Sequence, residues 1–288
     1  MIEVFETIVK NRGFLAARED YEEARAAIFG IPMDFTTSFR PGTRLGPQRI
    51  REASYSLEEY SFYLNKDLGE KVYCDLGDVA LPFGNIPAAL ENIEKVARKV
   101  LNDGKIPVAM GGEHLVSLPL IKAAAEQCPG LAVVHFDAHA DLREEYLGEI
   151  HSHATVMRRV VDIVGGRDVY QFGIRSGTRE EFAFAQENTR LYKDEIFPGL
   201  KVALQELKGR PVYVTLDIDV LDPAYAPGTG TPEPGGATSR EMISAIHLLG
   251  EQRVVGFDLV EVSPVLDPSD RTSVLAAKLI REAILSFG

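Results

Sequence analysis

The 288-residue chain has no tryptophan, only two cysteines and no excess of positive charge. Each scarcity removes a class of explanation. Cys74 and Cys128 cannot build a disulfide framework or a cysteine-based zinc site, and both are expected to be buried small hydrophobes. The 31 basic residues stand against 43 acidic ones, a formal charge of −12. That balance argues against a nucleic-acid partner, since phosphate binding needs a basic footprint. No apolar run approaches the roughly 20 residues that span a bilayer, so no membrane partner is expected. The opening Met1-Ile2-Glu3-Val4-Phe5-Glu6 lacks the basic start and apolar stretch of a signal peptide. A cytoplasmic protein is the expectation. A hydrophobic content of 45% over 288 residues suits one large domain, 1–288, and no repeat or linker divides it.

Short apolar runs alternate with longer helical patterns. Strands are predicted at 26–31, 72–76, 106–110, 131–136, 169–174, 212–216 and 254–260. Their apolar content is continuous, as in strands covered on both faces. Helices are predicted near 46–63, 86–103, 115–127, 179–187, 198–208, 238–250 and 269–286, with Thr238 and Glu241 at capping-box spacing. This alternation implies a parallel sheet between helical layers, with ligands outside the carboxyl ends of the strands. Two Gly- and Pro-rich segments, 36–47 and 222–236, read as long loops, a length that is usually functional when it flanks a site.

The most informative runs end predicted strands. They are Asp137-Ala138-His139-Ala140-Asp141 and Asp217-Ile218-Asp219. Side chains two apart on an extended chain share a face, so Asp137, His139 and Asp141 can converge, as can Asp217 and Asp219. His114 joins them through Gly111-Gly112-Glu113-His114. Alone, an Asp-X-His or an Asp-X-Asp is more often turn chemistry than a metal site. Three such motifs ending parallel strands are hard to explain as solvated turns. One divalent ion cannot offset four carboxylates, whereas two can, with carboxylates bridging them. Hard oxygens with two imidazoles and no thiolate suit Mn²⁺ better than Zn²⁺. Such a pair, ~3.5 Å apart, can share a water and generate hydroxide near neutral pH. His135 lies inside its strand and is expected to support the site or fill the core rather than bind metal. His247 reads as helix packing.

Gly111-Gly112-Glu113-His114, Asp137–Asp141 and Thr215-Leu216-Asp217-Ile218-Asp219-Val220-Leu221-Asp222-Pro223 together resemble the signatures of the ureohydrolases, the arginase and agmatinase family. The resemblance runs from Phe39-Arg40-Pro41-Gly42-Thr43-Arg44 to Phe257-Asp258-Leu259-Val260-Glu261-Val262-Ser263-Pro264. It implies a three-layer α/β/α fold with a mainly parallel sheet of roughly eight strands. It also implies two Mn²⁺ per chain, hydrolysis of a guanidinium to urea and an amine, and a homo-oligomer, trimer or hexamer. One ion would take His114, Asp137, Asp141 and Asp217. The other would take Asp137, His139, Asp217 and Asp219. His153, in Ser152-His153-Ala154-Thr155, resembles the proton-transfer histidine, with His151 a nearby alternative. Glu261 resembles the carboxylate that binds the guanidinium, and Asp141 can relay a proton.

An arginase needs neutral donors for an α-carboxylate. Here Leu142-Arg143-Glu144-Glu145-Tyr146-Leu147-Gly148-Glu149 supplies three glutamates instead. An acidic rim suits a small cationic guanidino substrate, and agmatine is the expected one. Arg143 and Arg175 keep a guanidino acid, such as guanidinobutyrate, open as the alternative. Two other readings are a catalytically silent metal-binding relative and a mononuclear zinc deacetylase; the four-carboxylate set disfavours the latter.

Overall fold

The computed structural model describes residues 3–193 and 196–288. Met1 and Ile2, which open the segment read above for a leader, lie outside the described residues. The strands are β1 (Ile8–Val9), β2 (Ala26–Ile31), β3 (Tyr60–Ser61), β4 (Lys66–Asp67), β5 (Tyr73–Val79), β6 (Ile106–Gly111), β7 (Ala132–Phe136), β8 (Val169–Phe172), β9 (Arg190–Tyr192), β10 (Pro211–Asp217) and β11 (Arg253–Val260). The helices are α1 (Gly46–Ser54), α2 (Ile86–Asn102), α3 (Ser117–Gln127), α4 (Val156–Val164), α5 (Arg179–Asn188), α6 (Ile196–Leu207), α7 (Ser239–Leu249) and α8 (Arg271–Phe287).

Among the described residues, nine strands form one sheet in the order β1-β5-β2-β6-β11-β10-β7-β8-β9, parallel except for β1 at one edge. Of this sheet, the seven strands predicted from apolar runs leave out only the short edge strands β1 and β9, whose two and three residues carry no readable pattern. Every residue of β2, β7 and β10 is buried, as their continuous apolar content predicts. Helices α1, α6, α7 and α8 cover one face, and α2, α3, α4 and α5 the other. The three-layer α/β/α arrangement follows.

Two helices differ from expectation. The one predicted over 46–63 stops at Ser54. There the Ser54 hydroxyl donates to the Arg51 carbonyl and the Ser56 hydroxyl to that of Ala53. Serine hydroxyls compete with helical bonding in this way. The chain then turns into the β3–β4 hairpin. Helix α4 was not anticipated. Its Val-rich stretch has weak helix propensity, but Val156, Met157 and Val160 bury one face and packing overrides it. The Thr238–Glu241 capping box forms as the spacing requires, with Glu241 accepting from the Thr238 amide. Cys74 is buried; Cys128 is only half-buried, and neither is paired.

One buried ion network anchors α1 to the sheet. Arg51 is 2% exposed and makes paired hydrogen bonds to Asp75, at 2.8 and 2.9 Å, and one to Asp78 at 2.6 Å. Removing one partner of such a set leaves buried charges uncompensated, at a cost of about 3–5 kcal/mol. Arg51→Ala is therefore expected to lose stability of that order in urea unfolding. A loss under about 1 kcal/mol would show that the network is neutral.

Candidate metal centre and catalytic cleft

Four neighbouring strands, β6, β11, β10 and β7, deliver the candidate residues at their carboxyl ends. After β6 the chain turns through Gly112, where a Cβ would sit 1.9 Å from the Met33 carbonyl oxygen. Only glycine allows that approach, and it places Glu113 and His114 at the rim. β10 ends on Asp217, whose carboxylate accepts from the Asp219 amide at 2.9 Å. β11 leads to Glu261, and β7 to Asp137.

Strand alternation is not what makes 137–141 converge. β7 ends at Phe136, and the segment beyond it is a loop bridged to Ser176. Asp141 has φ +52° and Glu261 φ +64°, left-handed conformations that side chains adopt at a cost of about 1–3 kcal/mol unless held by their surroundings. The Asp141 carbonyl accepts from the Met157 and Arg158 amides at the start of α4, which fixes this turn.

The six predicted metal residues lie together. His114 Nδ1 is 3.0 Å from Asp137 Oδ2, 3.2 Å from Asp141 Oδ2 and 3.4 Å from Asp217 Oδ2. His139 Nδ1 is 2.9 Å from Asp219 Oδ2 and 3.5 Å from Asp137 Oδ1. Asp137 is common to both groups. His114 Nδ1 and Asp219 Oδ2 are buried with no hydrogen-bond partner among the described residues. Orphaned lone pairs at the centre of an all-oxygen and imidazole donor set fit divalent cations.

Supporting side chains set the ring orientations. Thr215 Oγ1 donates to Asp258 at 2.7 Å and lies 3.0 Å from His114 Nε2. His114 therefore keeps a proton on Nε2 and turns Nδ1 to the carboxylates, which against the pull of burial hold the ring well above its usual pKa until a cation displaces the Nδ1 proton. His135 is equally close to the cluster, with Nε2 2.9 Å from Asp137. Gln171 Nε2 faces its Nδ1 at 3.2 Å, so Nδ1 accepts and Nε2–H donates to Asp137. His135 thus supports a carboxylate and has no lone pair to offer. His247 packs in α7 against Glu282 at 2.8 Å.

Burial and the Asp137 charge push Asp141 up to about 7, and burial raises Asp217 well above the ordinary range. Burial works against His139 protonation, yet the neighbouring Asp219 and Asp137 hold it up at about 12. Burial and Glu113 raise Glu261 to about 8. The common cause is concentrated negative charge in a dry site, which protons or cations must balance.

A cleft of about 280 Å³ opens over this cluster, with Ser38, Tyr146, His153, Thr231 and Glu261 among its walls. Glu261 Oε1 accepts the His114 amide at 2.8 Å. His153 Nε2 faces Ser38 Oγ at 3.3 Å, and burial lowers its pKa to about 4. His151 does not line the cleft. The acidic rim is not where it was expected: Glu144, Glu145 and Glu149 are exposed and outside the lining, whereas Arg143 is in it, stacked on Tyr146. Arg175 is committed elsewhere, donating to the carbonyls of Gly173, Asp219, Val220, Glu233 and Pro234. It ties the 222–236 loop to the end of β10. Arg40 does the same for the 36–47 loop, through the carbonyls of Thr229 and Gly230. The roles of Thr215, Gln171 and Asp258 were not predicted from the sequence; Thr215 and Asp258 stand inside the family motifs, whereas Gln171 lies in an apolar strand with no signal of its own.

An oxygen-rich imidazole cluster at the carboxyl ends of a parallel sheet, beneath a cleft, defines the architecture of a metal-dependent hydrolase. The arginase family model matches residues 24–286, and the chain belongs to that family. It is 52% identical to the agmatinase of Bacillus anthracis over 286 residues, 98% of this chain and 99% of the relative. It is 51% identical to the agmatinase of Bacillus subtilis with the same coverage. The crystal structure of agmatine ureohydrolase of Thermoplasma volcanium superposes with a TM-score of 0.86 at 36% identity, covering 99% of this chain and 97% of that one.

If the cluster's protons give way to cations, binding must release them and strengthen as pH rises. Calorimetric titration with Mn²⁺ in buffers of different ionisation enthalpy is expected to report release of at least about one proton per chain. Affinity should fall between pH 8 and 6. A pH-independent affinity would contradict the charge balance described above.

Proposed function

We propose that this chain hydrolyses agmatine to putrescine and urea, as one domain spanning 1–288 and with two Mn²⁺ ions. The observation that carries this is the nearly end-to-end match to agmatinases, combined with ligand-type residues gathered beneath one cleft. His114, Asp137, Asp141 and Asp217 would hold one ion. Asp137, His139, Asp217 and Asp219 would hold the other. When bound, the ions supply a water made acidic enough to act near neutral pH and offset the buried carboxylates.

The remaining chemistry belongs to side chains. Glu261 keeps one oxygen on the His114 amide and has the other free for the planar guanidinium, whose positive charge would counter the burial that raises the Glu261 pKa and make the contact charge-assisted. Converting a guanidinium and water to urea and an alkylammonium moves both water protons to the leaving nitrogen. Asp141, whose Oδ2 lies at the cluster 3.2 Å from His114, can take one. His153 is neutral at pH 7, so it acts as a shuttle that first accepts and then donates, rather than as a standing acid. The cytoplasmic location and the trimeric or hexameric assembly belong to this same proposal. Among the described residues, no helix is long and apolar enough to cross a membrane.

Arg143 in the cleft wall favours the second reading, a guanidino acid whose carboxylate it would pair. Urea release from agmatine, arginine and 4-guanidinobutyrate by the Mn²⁺-loaded protein separates these. Agmatine is expected to have the highest kcat/KM, and faster release from either competitor overturns the assignment. Glu261→Gln should raise KM roughly 10- to 100-fold while keeping metal content, the worth of one hydrogen bond to a charged group. Unchanged kinetics would remove Glu261 from the site.

A further inference from the structure

Glu113 has no part in the chemistry above, yet it is fully buried beside the cluster. Its oxygens are spent on the 35–36 segment. Oε1 accepts the Phe35 amide at 3.2 Å, and Oε2 accepts the Thr36 amide at 2.8 Å and the Thr36 hydroxyl at 2.7 Å. Three donors converge on this one side chain, and the Thr36 hydroxyl is among them, giving its hydrogen to Oε2. Thr36 Oγ1 is then left with lone pairs only. It accepts the His153 backbone amide at 3.0 Å and lies 3.4 Å from His153 Nδ1.

The direction of that hydroxyl has a consequence at the other end of the ring. An oxygen that can only accept favours a hydrogen on Nδ1, which leaves the lone pair on Nε2, beside Ser38. Tyr146 meets the ring edge-on at 5.6 Å and restricts its tilt. We infer that Glu113 is a positioning residue that acts through Thr36 to set the orientation and tautomer of His153. This rests on the proposed proton-transfer role of His153. Glu113 never touches the substrate in this scheme. Its carboxylate works as a directional acceptor, which an amide of the same shape cannot replace, because an amide nitrogen would face an N–H or leave the hydroxyl free to turn.

The test is a double-mutant cycle in the Mn²⁺-loaded enzyme, using urea release from agmatine. Thr36→Val is expected to lower kcat about 10- to 100-fold, the scale typical of lost supporting hydrogen bonds. KM should stay within about twofold and metal content should not change. Thr36→Ser should restore most of the rate, and Glu113→Gln should behave like Thr36→Val. In a His153→Ala background, Thr36→Val should cost nothing further, because its effect passes through the missing ring. An equal loss in both backgrounds, or no loss in the wild-type background, overturns the inference. If His153→Ala alone leaves kcat intact, the role of His153 fails instead, and the two failures are told apart. Should Thr36→Val not fold, Thr36→Ala carries the same comparison.

Discussion

The structure is organised around one electrostatic constraint: four aspartates are taken out of water within a few ångströms of one another. Nothing in the apolar sheet beneath can tolerate that charge, so the surrounding residues are arranged to neutralise, direct or hold it. Imidazoles from β6 and from the loop after β7 face the carboxylates. Thr215 and Asp258, which lie a layer deeper, fix which nitrogen His114 presents, and Gln171 does the same for His135 behind Asp137. The arrangement is costly to assemble without cations and favourable with them, which is why it points to metal chemistry rather than to stability.

Much of this was legible in the chain. Continuous apolar runs marked β2, β7 and β10 because strands covered on both faces leave no polar alternation to read. The cluster was legible because residue types that rarely sit beside buried strands recur at their ends. The misses have physical causes. Helix α4 is written in valines that favour strands, and only its packing against the sheet makes it helical. The predicted helix over 46–63 was cut short by serine hydroxyls capturing its last carbonyls. The rim glutamates could not be placed at all, since a loop gives no period from which to read where a side chain points.

The loops around the cleft are less free than their glycine and proline content suggests. Arg175 gathers five carbonyl oxygens from three stretches of chain, and Arg40 links the two long loops to each other. Planar guanidinium forks with several fixed donors suit this purpose, and an ammonium would not hold the same geometry. The cleft walls are therefore held in shape by main-chain contacts before any substrate arrives, which lowers the ordering cost of binding.

Asp141 is one residue with two duties. Its side chain faces His114, while its carbonyl receives the first amides of α4 from a left-handed backbone. Short polar side chains such as Asp and Asn tolerate that backbone region; a longer acid has no such advantage. A glutamate can hold that backbone only at a cost, as Glu261 does, and its extra methylene would also displace the carboxylate from its place beside His114. Chemistry and helix geometry are written into the same peptide unit, so variation at this position is confined twice over.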